Sequence, residues 1–236
     1  MRDIHVYNRK KECFVACALL LCLCSGGLAS AQGKWEVVTK EGGVVVSKKE
    51  VKDRDLPIFK GVGVINASVL EILAVLDDIP NNAVWMHQCM ESRLIKQVSE
   101  YERIVYNRTD APWPVDDRDV VVSSKATVNR DKRYVIVNFK SIKTPLQGEV
   151  EDVVRMPTLR GHYMLKILDY NKTRVEYQID ADPGGMLPDW LIEATSEEIP
   201  LNTIIKLRKR VMKTSKAGTY KGFVEKYTEK FGFKPE

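Results

Sequence analysis

The sequence predicts an α+β fold in which an antiparallel β-sheet is followed by a helical C-terminal third. Three patterns lead to this prediction. Residues 173–182 alternate between apolar and polar side chains, which is typical of a strand with one buried and one solvated face. Residues 68–78 carry apolar side chains at helical spacing. Residues 200–218 have the pattern of a long amphipathic helix.

The first predicted elements are a hairpin, a strand and a helix. The hairpin spans residues 35–51 with two glycines in its turn, and a further strand follows at residues 59–67. Ser68 and Glu71 have the spacing of a capping box, in which the side chain of each residue bonds the backbone N–H of the other. We therefore expect a helix that begins at Ser68 and ends before Pro80.

Six more strands are predicted between this helix and the C-terminal third. In chain order they are SRLIKQVSE, ERIVYNRT, DVVVSSKATVN, RYVIVNFKSI, HYMLKILDY and TRVEYQIDAD. The sheet ends at Pro183, and after a shorter helical pattern the long helix begins with Pro200 in its first turn. The predicted buried face of the long helix includes Leu201, Ile204 and Val211.

Residues 1–31 have the pattern of a secretory signal peptide, with basic residues 9–11 before an apolar run that ends in Ala-Ser-Ala. We expect cleavage after Ala31 and an exported protein, periplasmic or secreted, whose residues 32–236 form a single domain. The alternative is a leader that is kept as a membrane anchor, although its uncharged stretch barely reaches spanning length.

The composition argues against several kinds of site. The net charge of the 236-residue chain is +5, of which the leader carries +2, and this dispersed excess does not predict nucleic-acid binding. Cys89 is the one cysteine outside the leader, so an internal disulfide is not expected. With His87 and His162 as the histidines beside it, a tetrahedral zinc site is not expected either. We predict no metal and no cofactor.

Four stretches of the sequence resemble the START family of lipid-binding domains. They are Trp85 after the first helix, PWPVDDRD at residues 112–119, DADPGGMLPDWL at residues 180–191 and PLNTIIKLRKRV at residues 200–211. These stretches keep the order and spacing of the family. The resemblance implies a helix-grip fold, in which a curved antiparallel sheet wraps around a long C-terminal helix. Together with the leader, it suggests a bacterial, exported, single-domain member of the family.

The resemblance also implies a ligand cavity between the sheet and the long helix. Several positions predicted to face inward carry small or medium side chains, which leave space that an apolar ligand can occupy. The expected cavity residues are Tyr106, Val120, Val122, Ser124, Ala126, Val135, Val137, Tyr177, Ile179 and Ile204. An ordinary packed core would use the same residue types, and the resemblance favours the cavity.

Sterol-carrying members of the family place a buried acid and a buried arginine on neighbouring strands. The corresponding positions in this sequence fall near Val105 or Tyr106 and at Ser124, so the resemblance does not imply a sterol. We expect a ligand with modest polar requirements, and the sequence does not identify it.

The resemblance also implies that the mouth of the cavity lies at the loop around Trp113, which its two flanking prolines hold in an extended turn. A gate is expected in the segment after the last strand, at Gly184, Gly185, Met186, Leu187, Trp190 and Leu191. Two glycines beside an apolar segment suit a gate that opens and closes. A structural ion-pair cluster is expected at the base of the loop, formed by Asp116, Asp117, Arg118 and Asp119. A catalytic pair of carboxylates would instead need two different environments that face one substrate.

We predict that the protein binds a lipid or another hydrophobic small molecule and carries it between membranes, with transient contact to a membrane surface and without catalysis. Two alternatives stay open. One is an enzyme acting on apolar substrates on the same scaffold, with His162 or Asp182 as acid–base candidates, although no Gly-x-Ser-x-Gly motif is present. The other is a lipid-sensing partner of an envelope protein, and the sequence does not identify that protein.

Overall fold

The structure is a computed structural model that describes residues 33–233, except residues 53, 55, 186 and 188 and the side chains of residues 189–196. The predicted signal peptide and its cleavage site lie outside the described residues. The strands are β1 (Glu36–Glu41), β2 (Val44–Lys49), β3 (Ile58–Ile65), β4 (Cys89–Ser99), β5 (Glu102–Thr109), β6 (Asp117–Asn129), β7 (Tyr134–Ser141), β8 (Val153–Arg155), β9 (Thr158–Asp169) and β10 (Lys172–Asp182). The helices are α1 (Val69–Asp77), α2 (Asn82–Trp85), α3 (Asp189–Ala217) and α4 (Lys221–Phe231), and a 3-10 turn spans Ile79–Asn81.

The strands form one curved sheet in the order β1-β2-β3-β10-β9-β7-β6-β5-β4, with antiparallel pairing along this path. Helix α3 packs against β1, β2, β3 and β10. The predicted α+β fold, with an antiparallel sheet around a long C-terminal helix, is therefore confirmed. Strand β8 was not predicted, because three residues are too few to show alternation; it pairs in parallel with β6.

Two glycines on β3 set how closely α3 approaches the sheet. A Cβ atom at Gly61 would lie 3.0 Å from Ile204 Cδ1 and 3.0 Å from the carbonyl oxygen of Pro200. A Cβ atom at Gly63 would lie 3.1 Å from Ile204 Cγ2. Since ordinary carbon–carbon contacts are about 3.5–4.0 Å, larger residues at these positions would push the helix away from the strand.

The helix prediction around Pro200 was wrong in one respect. The sequence predicted a short helix and then a long helix that begins at Pro200, but α3 runs through both segments with Pro200 inside it. Proline disfavours a helix interior because it has no N–H to donate and its ring crowds the preceding turn. Here the buried Pro200 packs against Gly61, and this tertiary contact stabilises a helix that the local preference alone opposes.

The capping box that begins α1 is confirmed. The Ser68 hydroxyl accepts a hydrogen bond from the Glu71 backbone N–H at 3.3 Å, and the Glu71 carboxylate accepts one from the Ser68 N–H at 2.8 Å. Helix α1 ends at Asp77, and the 3-10 turn that contains Pro80 follows.

The main core lies between the inner face of the sheet and helices α1, α3 and α4. The predicted face of α3 is buried, with Ile204 and Val211 fully inaccessible to solvent. Tyr227 and Phe231 on α4 are also buried. Within the described part of the chain, no helix is long and apolar enough to cross a membrane.

Candidate ligand cavity

A cavity of about 190 Å³ lies between the inner face of the sheet and α3. Strands β3, β5, β6 and β10, helix α3, and the loops that precede β4 and β6 all contribute to its walls. The lining is mainly apolar and includes Phe59, Val120, Met156, Leu159, Ile179 and Leu187. The volume is below the ~300–1,000 Å³ of pockets that hold drug-sized ligands. In this conformation the cavity therefore has room for part of a lipid molecule.

Three of the predicted cavity residues line this cavity. They are Val120 on β6 and Tyr177 and Ile179 on β10. Val122, another predicted residue, is buried beside the cavity in a small apolar cluster with Val105. Ligand binding at these positions stays a prediction.

Four other predicted residues lie on the inner face of the sheet but away from the cavity wall: Ser124, Ala126, Val135 and Val137. Aromatic residues are the register partners of two of them. Phe139 lies opposite Ser124, and Tyr163 lies opposite Val137. Tyr163 also stacks on Tyr177, with ring centroids 4.4 Å apart. The described cavity therefore does not reach these four residues in this conformation, and their contact with a ligand stays a prediction.

The assignment of Tyr106 to the cavity is corrected by the structure. Its neighbour Val105 belongs to the apolar cluster beside the cavity, so alternation along β5 places Tyr106 on the opposite face. There the Arg93 guanidinium lies 4.4 Å from the centroid of the Tyr106 ring. Burial and the nearby carboxylate of Asp119 raise the pKa of Tyr106 to about 12.

The assignment of Ile204 to the cavity is corrected as well. Its side chain is fully buried against Gly61 and Gly63. Ile199 and Thr203 are the α3 residues that line the cavity. One position along a helix rotates a side chain by about 100°, so Thr203 and Ile204 point to different parts of the interior.

The predicted ion-pair cluster at the base of the loop is two separate ion pairs and a separate arginine. Asp117 accepts two hydrogen bonds from Arg108, at 2.9 and 2.6 Å. Asp119 accepts two from Arg155, at 2.5 and 3.1 Å. Arg118, between the two acids in the sequence, points to the other face of the sheet because side chains alternate along β6.

Arg118 is buried, with 6% of its surface exposed, and it lines the cavity. Nη1 donates to the carbonyl oxygen of Asp116, and Nη2 donates to that of Gly184 at 3.3 Å. Its Nε–H has no partner among the described residues. Burial lowers the pKa of the guanidinium. The sequence analysis missed this cavity residue, although Arg118 has the same strand parity as Val120 and Val122.

Other polar groups in the cavity wall were also missed. Burial and the neighbouring Lys206 lower the pKa of His87, whereas burial raises the pKa of the Cys89 thiol to about 11. The buried Oδ1 of Asn107 and Oγ1 of Thr203 have no hydrogen-bond partner in the described structure. These groups come from the loop before β4, from β4, from β5 and from α3, so no local sequence pattern unites them.

At the expected mouth, Pro112 and Val115 line the cavity, whereas Trp113 is 92% exposed. At the expected gate, Gly184 and Gly185 have φ angles of +66° and +70°, and Leu187 lines the cavity. Met186 lies outside the described residues. Trp190 and Leu191 belong to α3, and their side chains are likewise outside the description.

The residues named as acid–base candidates do not line the cavity. His162 Nε2 lies 3.4 Å from Glu176 Oε1, on a half-buried patch formed with Arg174. Asp182 is exposed and accepts a hydrogen bond from the Gly184 N–H at 2.9 Å. Among the described residues, no group of three or more His, Cys, Asp or Glu side chains is arranged to hold a metal ion.

Comparison with known proteins identifies relatives of the whole fold. The family model described as START domain matches residues 22–216. An uncharacterized protein of Pseudomonas aeruginosa is 33% identical over 174 residues, which are 74% of this chain and 85% of that protein. The phosphatidylcholine transfer protein of Mus musculus is 24% identical over 162 residues, which are 67% of this chain and 74% of that protein.

Among solved structures, a STAR-related lipid transfer protein from Xanthomonas axonopodis superimposes with a TM-score of 0.69. It is 27% identical and covers 75% of this chain and 98% of its own. The similarity therefore extends over the sheet and the long helix that enclose the cavity.

Proposed function

Because the chain belongs to the START domain family, we propose that it binds a lipid in the cavity beside α3 and carries that lipid between membranes. The observation that carries this proposal is the mainly apolar cavity enclosed by β3, β5, β6, β10 and α3. Phosphatidylcholine transfer protein and the STAR-related lipid transfer protein, both similar to this chain, are named for lipid transfer.

The energetics favour binding through the apolar part of the ligand. Burial of a chain of ~16 methylenes contributes on the order of 10 kcal/mol, which offsets the costs of association and ordering. Apolar burial is not directional, so we expect several lipids to bind rather than one.

The cavity must enlarge to take such a chain, since 190 Å³ is less than a lipid requires. We propose Gly184, Gly185 and Leu187 as the moving part. Leu187 contributes to the wall, and Gly184 and Gly185 occupy backbone conformations that glycine adopts without strain. Tyr177 also lines the cavity, and its ring stacks on that of Tyr163.

We propose that the protein approaches membranes through the loop that contains Trp113. Its indole is almost fully exposed, while Pro112 and Val115 on either side reach into the cavity wall. Tryptophan is enriched at the boundary between lipid and water, because its ring is apolar and its N–H is polar. Export through the N-terminal leader, with cleavage after Ala31, is part of the same proposal.

The test uses the full chain, expressed with its own leader and purified from the envelope fraction. Native mass spectrometry should detect bound lipid, and the protein should transfer labelled lipid from donor to acceptor liposomes. An Ala181→Phe variant fills the cavity wall and should lower the transfer rate at least 10-fold. Gln178→Phe, on the opposite face of the same strand, is the matched control and should transfer normally. Equal transfer by Ala181→Phe and the wild type would contradict the proposal.

A further inference from the structure

Among the described residues, the buried cation Arg118 has no carboxylate within ion-pair distance. Its Nη atoms donate to the backbone carbonyls of Asp116 and Gly184, and its Nε–H has no acceptor in the described part of the chain. No described carboxylate forms an ion pair with it, because Asp117 and Asp119 pair with arginines on the other face of the sheet. Buried charges in proteins are normally paired, since an uncompensated charge is costly to remove from water.

The surroundings of Arg118 favour an anion as the missing partner. Arg118 lines the cavity together with Thr203, a residue that is 1% exposed and whose buried Oγ1 lacks a partner within the described structure. Both groups can donate hydrogen bonds to an oxygen atom. Apolar side chains, among them Val120, Ile179 and Leu159, make up most of the wall, which also includes the polar residues His87, Asn107 and Asp110. Such a wall strengthens a charge–charge interaction because its dielectric constant is low.

We propose that Arg118 binds an anionic oxygen group, a carboxylate or a phosphate, at the head of the lipid, and that Thr203 donates a second hydrogen bond to it. This inference rests on the proposed function and names the class of its ligand, an anionic amphiphile. The guanidinium forms short, charge-assisted bonds with both kinds of anion. The apolar part of the ligand would then lie against Val120 and Ile179.

The structural contacts of Arg118 use only part of its hydrogen-bonding capacity. The two carbonyl groups that Arg118 bonds are neutral and use only its Nη atoms. Asp116 is exposed, and together with Asp117 it acts on Arg118 only at longer range. The Nε–H and the positive charge are therefore left for a ligand. Arg118 Nη2 also donates to the carbonyl oxygen of Gly184, which belongs to the proposed gate. An anion bound at Arg118 would therefore contact the side chain that bonds the gate.

The experiment compares three ligands with the same oleoyl chain, monoolein, oleic acid and oleoyl lysophosphatidic acid, by displacement of the neutral dye Nile red at pH 8. At least one anionic ligand should bind 10-fold or more tightly than neutral monoolein. Comparing oleic acid with oleoyl lysophosphatidic acid shows whether the carboxylate or the phosphate is preferred. In an Arg118→Met variant the preference for the anion over monoolein should fall below 3-fold.

Two further variants separate charge from structure. Arg118→Lys keeps the charge and should retain part of the preference. Arg108→Met removes an arginine that pairs with Asp117 on the other face, and it should keep the full preference. If Arg118→Met does not fold, the Arg118 Nε–H resonance of the wild type provides the test by 15N NMR. It should shift on addition of the preferred anion and stay in place with monoolein.

The outcomes distinguish this inference from the proposed function. If monoolein and the anions bind equally, or if Arg118→Met keeps the preference, the anion site is overturned while lipid binding stands. If no lipid displaces Nile red and none is transferred between liposomes, the proposed function itself fails. An unchanged Arg118 resonance at saturating oleic acid and at saturating oleoyl lysophosphatidic acid also overturns the anion site.

Discussion

Arg118 on β6 donates a hydrogen bond from Nη2 to the carbonyl oxygen of Gly184, 3.3 Å away, although the two residues are 66 positions apart in the chain. The contact joins a buried strand residue to the segment that follows β10. Gly184 has a φ angle of +66° and Gly185 one of +70°. The path of this segment therefore depends on glycine at these positions and on a side chain from a distant strand.

Gly184→Ala should destabilise the protein by about 1–2 kcal/mol, because an L-residue at positive φ is strained. The added Cβ would also lie 2.9 Å from Pro157 Cδ. Urea denaturation measures the change in the free energy of unfolding. Gly148→Ala is the control, since a Cβ there would meet no atom within 4 Å. Equal losses for the two variants would show that the backbone at Gly184 is not specially constrained.

Trp113→Ala should reduce the rate of lipid transfer from liposomes several-fold without changing the free energy of unfolding by more than about 0.5 kcal/mol. The indole is 92% exposed, so its removal breaks few packing contacts within the folded protein. The same exposure leaves it free to contact a membrane surface. Leu168→Ala is the control and should transfer lipid normally. It removes an exposed apolar side chain at the end of β9 that lies far from the cavity residue Leu159. Similar transfer by the Trp113 variant and the wild type would argue against membrane contact through this loop.

Comparison of Glu176→Gln with the wild type should show that the protonation of Glu176 lowers the free energy of unfolding. Hydrogen bonds from His162 and Arg174 lower the pKa of Glu176 from about 4.5 to about 2. A lowered folded-state pKa stabilises the protein above pH 4.5, and this contribution is lost as the pH falls towards 2. The free energy of unfolding of the wild type should exceed that of the variant by about 1–2 kcal/mol at neutral pH, because solvent screens the half-buried carboxylate, and the difference should shrink between pH 4.5 and 2.

Denaturation of both proteins across this pH range measures the difference. Glu229→Gln, on the exposed side of α4, is the matched control and should show no such trend. A constant difference between Glu176→Gln and the wild type from pH 7 to pH 2 would mean that Glu176 does not titrate as its contacts imply.

Cys89 should react slowly with iodoacetamide at pH 7.5. Burial raises its pKa to about 11, and the thiolate is the reactive form. Alkylation of the peptide that contains Cys89, followed by mass spectrometry, should be roughly 100-fold slower in the folded protein than in urea. Comparable rates in the two conditions would place the thiol in water rather than in the cavity wall.

Local patterns predicted most of the fold, because they report on interactions within a few residues. The alternation along β10, the Ser68–Glu71 capping box and the apolar face of α3 all appear in the structure. The resemblance to START domains added the expectation that the sheet wraps around the last helix. The break expected at Pro200 was wrong, because packing against Gly61 is a contact between distant parts of the chain.

The candidate site was predicted less completely. Val120, Tyr177 and Ile179 reach the cavity, as their strand positions suggested. The ion cluster around Arg118 was misassigned, although alternation along β6 already separates Arg118 from its acidic neighbours. Side chains two positions apart on a strand share a face, so the period predicts that Arg118 points to the same interior as Val120 and Val122.

The sequence by itself determined which residues form strands and helices and which side of each element is apolar, since these follow from periods of 2 and 3.6 residues. Only the tertiary structure decided where the interior is filled and where it is open. Tyr163 stacks on Tyr177 in the interior, while Arg118 and Thr203, from distant elements, line the same cavity. The physical reason is that an unfilled volume depends on the distances between packed elements and on every side chain that lines it, which no local period records.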